Sequence, residues 1–132
     1  MNDIDERVKG HYGWSGTMET IEAEIRGKGI DPAKVTVDEL APIDNYHWNR
    51  LAGTLVLARA VGIRAGESVL DVGGGIGGPA RQLAHRYGAT ITVLDLVPDY
   101  CAVGETLTVW TNLEDRDHGR LLTSPGRDRR GG

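Results

Sequence analysis

Hydrophobic and polar positions along the chain alternate between two periods. From residue 17 to 27, Met18, Ile21 and Ile25 recur three and four apart, which predicts a helix ended by Gly27 and Gly29. Thr36-Val37-Asp38-Glu39 has the spacing of a capping box, in which the Thr36 hydroxyl and the Glu39 carboxylate satisfy each other's backbone amides. It predicts a short helix stopped by Pro42. Residues 46–62 predict a longer helix with Leu51, Leu55 and Ala58 on one face and Gly62 as its end. The period then shortens. Residues 68–72 and 89–95 are compact apolar runs, each followed by a helical stretch, about 78–87 and 99–112. The first helix is expected to turn Ala80, Leu83, Ala84 and Tyr87 inward. Strand–helix–strand–helix order predicts an α/β layer with parallel strands and right-handed crossovers. In a complete layer of this kind Val69, Leu70, Val72, Ile91 and Val93 would be covered on both faces. With two strands only, the outer edge of the second would be bare and prone to pairing or aggregation.

Beyond Arg116 the pattern fails. Residues 117–132 (DHGRLLTSPGRDRRGG) hold only two adjacent large apolar residues among Gly, Arg and Pro, so no strand is expected there. The division is therefore an N-terminal helical cap over 1–63, a half-domain over 64–116 and an irregular tail over 117–132. The abrupt change of character suits a frameshifted or prematurely ended reading frame, or a natural disordered tail.

Composition narrows the classes. Nineteen glycines in 132 residues are about twice the usual ~7%, and the excess lies in one loop and in the tail. A net charge of −4 argues against generic nucleic-acid binding. The lone Cys101 excludes an internal disulfide and suits a reducing cytoplasm. MNDIDERVKG has no apolar core of a signal peptide, and no apolar run approaches the ~18 residues of a membrane span.

The chemistry concentrates in VLDVGGGIGGPAR, residues 69–81. A strand ends in Asp71 and passes through Gly73, Gly74, Gly75, Gly77 and Gly78 directly into a helix. Such a loop permits positive φ and close approach of a ligand to backbone, and the helix offers its free N–H groups. The second strand ends in Asp95, where a nucleoside ribose would be held. Gly73-x-Gly75-x-x-Gly78 also satisfies the dinucleotide fingerprint, so a Rossmann module for NAD stays open. Asp71 argues against it. A carboxylate under the loop would repel a pyrophosphate and suits a cationic ligand such as S-adenosylmethionine.

Residues 66–81 and 88–108 resemble class I S-adenosylmethionine-dependent methyltransferases. Within that class they are similar to the small-molecule branch: ubiquinone/menaquinone, sterol and sarcosine/dimethylglycine methyltransferases. HYGWSG (11–16) and LAPIDNYHWNRLAGT (40–54) resemble that branch more loosely, as pieces of its N-terminal cap. The resemblance implies an incomplete Rossmann-like fold, truncated after the second strand and inactive or nearly so alone. It implies a small-molecule acceptor of nitrogen, carbon or oxygen type. It further implies that Gly73, Gly75 and Gly77 approach the methionine part of the cofactor. Asp71 would orient the cofactor's amino group, Asp95 would accept the ribose hydroxyls, and Leu96 would flank the adenine. Tyr12, Tyr46 and His47 would cover the sulfonium, to which an aromatic face is attractive; alternatively Asp44 or Asn45 caps a helix and Tyr46 and Trp48 only pack. Gly74 stands where the family often has Cys or Ser, a change expected to be harmless. Arg81 is expected to be a solvated helix residue. His85 and His118 receive no role, no metal ligands are expected, and no catalytic residue is named. A non-enzymatic interaction protein, pairing through its exposed sheet edge, is the remaining alternative.

Overall fold

A computed structural model describes residues 18–45, 50–114 and 119–125. Helix α1 (Met18–Gly27) buries Ile21 and Ile25 completely, as its spacing predicts. A single 3-10 turn at Pro32–Lys34 leads to α2 (Val37–Asp44). The capping box is present: Glu39 N–H donates to Thr36 Oγ1 at 3.1 Å, and Thr36 N–H donates to Glu39 Oε2 at 2.9 Å. Pro42 does not stop this helix, contrary to expectation, but sits inside it. A proline there removes only its bond to the carbonyl of Asp38, an exposed residue whose oxygen water can satisfy. Helix α3 is seen over Arg50–Val61. Ala58 is buried, whereas Val56, Leu57 and Val61 face outward.

Strand β1 (Ser68–Val72), helix α4 (Gly78–Tyr87), strand β2 (Thr90–Asp95) and helix α5 (Pro98–Trp110) follow in the predicted order. β1 and β2 pair in parallel, with Val69 opposite Ile91 and Asp71 opposite Val93. A third strand, β3 (Arg120–Pro125), continues the sheet in parallel beyond β2, with Ile91 opposite Leu121. This corrects the expectation of irregular structure throughout 117–132 and of truncation after the second strand. RLLTSP lacks alternation because ladder hydrogen bonds, rather than a two-faced apolar pattern, define a short edge strand.

The expected coverage is also corrected. Strand order β1-β2-β3 winds in one direction, so right-handed crossovers put α4 and α5 on the same face. That face holds Ile91 and Val93, both fully buried with Ala80, Ala84, Ala89 and Leu113. The opposite face is open: Leu70 and Val72 are 61% and 71% exposed, and Leu122 is partly exposed. Among the described residues the bare surface is therefore a sheet face and the outer edge of β1, while the outer edge of β2 is occupied by β3. A second cluster joins α1, α2 and α5 through Ile21, Ile25, Leu40, Ile43, Val103 and Leu107. It clamps the helical segment onto the covered side of the layer.

Candidate functional site

The site forms where β1 and β2 end side by side. Parallel strands bring their C-terminal ends together, so Asp71 and Asp95 lie at one rim of the sheet although 24 positions separate them. Between them runs the glycine loop. Gly73, Gly75 and Gly77 have φ of 71°, 59° and 83°, the left-handed region in which a side chain is strained. Gly73 N–H donates to Leu94 O at 2.7 Å, tying the loop's start to β2. Gly75 N–H donates to Asp95 Oδ2 at 2.8 Å, and Val97 N–H to Asp95 Oδ1 at 2.9 Å. One carboxylate thus fixes both the loop and the entry to α5. Each of its oxygens retains a further lone pair for a ligand hydroxyl.

Gly74 and Gly78 serve another purpose. A Cβ on Gly74 would stand 2.8 Å from Asp71 Oδ2 and 2.7 Å from Val93 Cγ1. A side chain at position 74 is therefore not harmless here; the Asp71 carboxylate or Val93 would have to move. A Cβ on Gly78 would fall on the backbone carbonyl of Asp44, so α2 and α4 touch main chain to main chain. Gly77, the residue before α4, gives no side-chain cap to the helix. The helix N-terminus, with its partial positive charge and unbonded amides, is left to whatever enters the loop.

Two cavities meet at Gly73. The larger, about 460 Å³, lies between α3, β1 and the loop and includes Leu57, Val61, Leu70, Asp71, Leu83 and Asp44 in its wall. The smaller, about 320 Å³, is lined by Val72, Gly73, Leu94, Asp95 and Leu96. Leu96 is 79% exposed at its mouth, positioned to lie against a flat ligand group. Asp71, Gly73 and Gly75 share the larger cavity, Gly73, Asp95 and Leu96 the smaller, and Gly77 closes the loop through a 3.0 Å bond to Gly74 O. Asp44, Asp71 and Asp95 line these cavities, and among the described residues no Lys or Arg does. Tyr12, Tyr46, His47 and Trp48 lie outside the described residues, as does His118. His85 is exposed on α4.

Arg81 is not a solvated helix residue. It is completely buried, and its guanidinium reaches Asp44 Oδ2 at 3.2 Å, Gly104 O at 3.3 Å and Thr108 Oγ1 at 3.5 Å. Asp44 is nearly as buried and accepts from Asn45 Nδ2 at 2.6 Å. Burial pushes the Asp44 carboxyl above its ordinary range, and the Arg81 charge opposes without cancelling that push. The sequence did carry a signal. Gly78 and Ala84 flank Arg81 at three positions on either side, leaving room on that helix face for a long side chain to reach inward. Cys101, with its thiol 3.7 Å from Asp95 O, is likewise buried; burial, then the charges of Asp95 and Glu105, push it up and keep it protonated.

Among the described residues no group of three or more His, Cys, Asp or Glu is placed to hold a metal, and no helix is long and apolar enough to cross a membrane.

No family model matches the chain. Curated relatives do. A demethylmenaquinone methyltransferase of Tropheryma whipplei is 41% identical over 59 residues, 45% of this chain and 22% of that protein. A sterol 24-C-methyltransferase of Gibberella zeae is 56% identical over 39 residues, 30% of this chain and 10% of that protein. The matched stretch thus spans less than a quarter of either relative's length. Among solved structures, a methyltransferase from Thiobacillus denitrificans in complex with S-adenosylhomocysteine superposes with a TM-score of 0.50 at 21% identity. It covers 68% of this chain and 34% of that one. Over the matched stretch, with its glycine loop between two strand-end carboxylates, the chain is similar in sequence to these methyltransferases, and it shares the fold of the Thiobacillus denitrificans structure.

Proposed function

We propose that the chain binds S-adenosylmethionine across Gly73 and forms the cofactor half of a methyltransferase acting on a small, largely apolar molecule. The carrying observation is the pair of cavities that share Gly73 and present the carboxylates of Asp71 and Asp95 with no Lys or Arg among the described residues that line them. A dinucleotide brings a pyrophosphate that such a lining repels; a sulfonium and an ammonium are attracted by it. The structural neighbour from Thiobacillus denitrificans, crystallised with S-adenosylhomocysteine, supports the same ligand class. Bound there, the cofactor supplies a methyl group already activated by positive charge on sulfur.

The chain's own residues then divide the work. The backbone at Gly73, Gly75 and Gly77 lets the methionine part approach without a Cβ in the way. Asp71 faces the ammonium end, and Asp95 receives the ribose hydroxyls on lone pairs that Gly75 and Val97 leave free. Leu96 covers one side of the adenine. Leu57, Val61, Leu70 and Leu83 give the cavity an apolar lining, and water displaced from it by the bound cofactor favours a step in which charge at sulfur is lost. Tyr46 and His47 are assigned as covering groups on resemblance. Tyr12 is assigned to the same cover on resemblance alone.

The menaquinone and sterol methyltransferases among the relatives support a small apolar acceptor. Acceptor contacts and any base belong to polypeptide outside this stretch, so methyl transfer by the chain alone is expected to be absent or nearly so. The free edge of β1 and its open face favour further polypeptide pairing there. A single buried thiol suits the cytoplasm.

Calorimetric titration with S-adenosylhomocysteine tests the proposal, with NAD as competitor class. Saturable binding of the thioether alone is expected. Asp95→Ala should weaken it tenfold to a hundredfold, matching the ~1.5–3 kcal/mol of hydrogen bonds to a charged group. Equal binding of NAD, or none of either by a folded chain, would sink the assignment.

A further inference from the structure

The Arg81–Asp44 pair is costly to bury and contributes nothing obvious to an apolar core. Both side chains are at most 2% exposed, and stripping two charges of water costs several kcal/mol per ion before their attraction is counted. Apolar residues of similar volume would hold three helices together as well or better. The pair's location suggests what it does instead. Arg81 N–H donates to Gly77 O at 2.9 Å, the bond that closes the first turn of α4. The same residue's side chain is held by Asp44 at the end of α2 and by Gly104 and Thr108 in α5. Asp44 in turn contributes to the larger cavity wall, and its carbonyl meets Gly78 with no space for a Cβ. The ligand loop is thereby fastened at its far end to the helical segment.

We propose that Arg81 and Asp44 are positioning residues that set the conformation of the Gly73–Gly78 loop from behind. An apolar contact can slide; a guanidinium spread over three acceptors cannot shift without breaking a bond in the dry interior. The loop's left-handed glycines lack side chains with which to hold themselves. Besides the main-chain bond of Gly73 to Leu94, two side chains anchor it: Asp95 through Gly75 at the front, and Arg81, whose amide bonds Gly77, at the back. Relevance to methyl-donor binding rests on the function proposed above, but the coupling itself does not.

The test is amide hydrogen exchange on the whole chain without ligand, comparing wild type with the double variant Asp44→Leu/Arg81→Met. Removing both charges leaves neither buried alone. Exchange at Gly75, Gly77 and position 81 should accelerate tenfold or more, while Ile91 and Val93 in β2 keep their wild-type rates. S-adenosylhomocysteine affinity should fall about tenfold in parallel. Loop amides that exchange as slowly as in wild type would overturn the proposal and leave the pair a packing element only. If the double variant does not fold, Arg81→Lys carries the same test, since one ammonium cannot reach all three acceptors. It should speed the loop amides about threefold, and unchanged rates there would equally refute the coupling. A wild-type chain that binds no S-adenosylhomocysteine refutes the function above, not the anchor, which is read from the free protein.

Discussion

The two faces of one three-stranded sheet differ more than any two elements of this molecule. On the face under α4 and α5, Ile91 and Val93 are fully buried, and small alanines let α4 approach closely. On the other, Leu70 and Val72 are largely exposed on β1, with Leu122 two strands away on β3. The residues are of the same kind; the topology is what separates them. Successive right-handed crossovers in one direction can cover only one side. The ligand loop is tied to β2 through Leu94 and Asp95, while Leu70 and Val72 of the open face line the cavities beside it.

The sharpest way to break this contrast is to truncate one residue on each face. Ile91→Ala should cost about 2–5 kcal/mol, because it leaves a cavity among Ala80, Ala84 and Leu113 that cannot collapse. Leu70→Ala should cost far less in the same denaturant titration. Equal losses would mean that the open face is covered in solution.

A second substitution sharpens the covered side. Gly78→Ala sets a methyl group against the Asp44 carbonyl, backbone that has little freedom to yield. About 1–3 kcal/mol of destabilisation is expected, with α2 pushed from α4. Gly74→Ala meets Asp71 and Val93 side chains instead and should be milder. If position 78 tolerates alanine as easily as 74, the close contact between α2 and α4 is absent in solution.

A smaller effect is expected with pH. Burial, partly opposed by Arg81, raises the Asp44 carboxyl above its unfolded value, so protonation favours the folded state. The stabilising contribution is present below the unfolded carboxylate range near ~3.9 and is lost as pH rises through the raised folded value. Asp44→Asn stays uncharged throughout. The stability of wild type relative to Asp44→Asn should therefore decline as pH is raised from about 3 towards neutrality. A difference that grows in favour of wild type over that interval would reverse the sign assigned here.

What the sequence disclosed follows from which interactions are local. The capping box at Thr36 and Glu39, the strand at Ser68–Val72 and the left-handed glycines are set by neighbours in sequence, and all were legible. Asp95 was legible as a strand-end carboxylate because a strand end is a local event; its bonds to Gly75 and Val97 were not. Non-local facts escaped. β3 forms because β2 offers a ladder, although RLLTSP has no pattern of its own. Arg81 is buried because Asp44, 37 positions earlier, supplies a charge. Pro42 remains helical because a single lost bond near a helix end can be left to water.

The smallest predicted effect tests the open face most directly. Leu70→Thr with Val72→Thr keeps β-branched or strand-compatible shapes on β1 while removing apolar surface from water. If nothing covers that face, folded and unfolded states expose these side chains to similar extents, and stability should change by no more than about 0.5 kcal/mol. Any light scattering that grows with concentration should diminish, since the surface left bare is the one that invites association. A loss well beyond that value would show the face to be packed against something in solution. The same pair of substitutions should then abolish pairing of added polypeptide along β1 without touching the loop bonds at Gly73, Gly75 and Asp95. Because Leu70 and Val72 also line the two cavities, the ligand affinity of the same variant tells whether the open face and the ligand walls act as one surface.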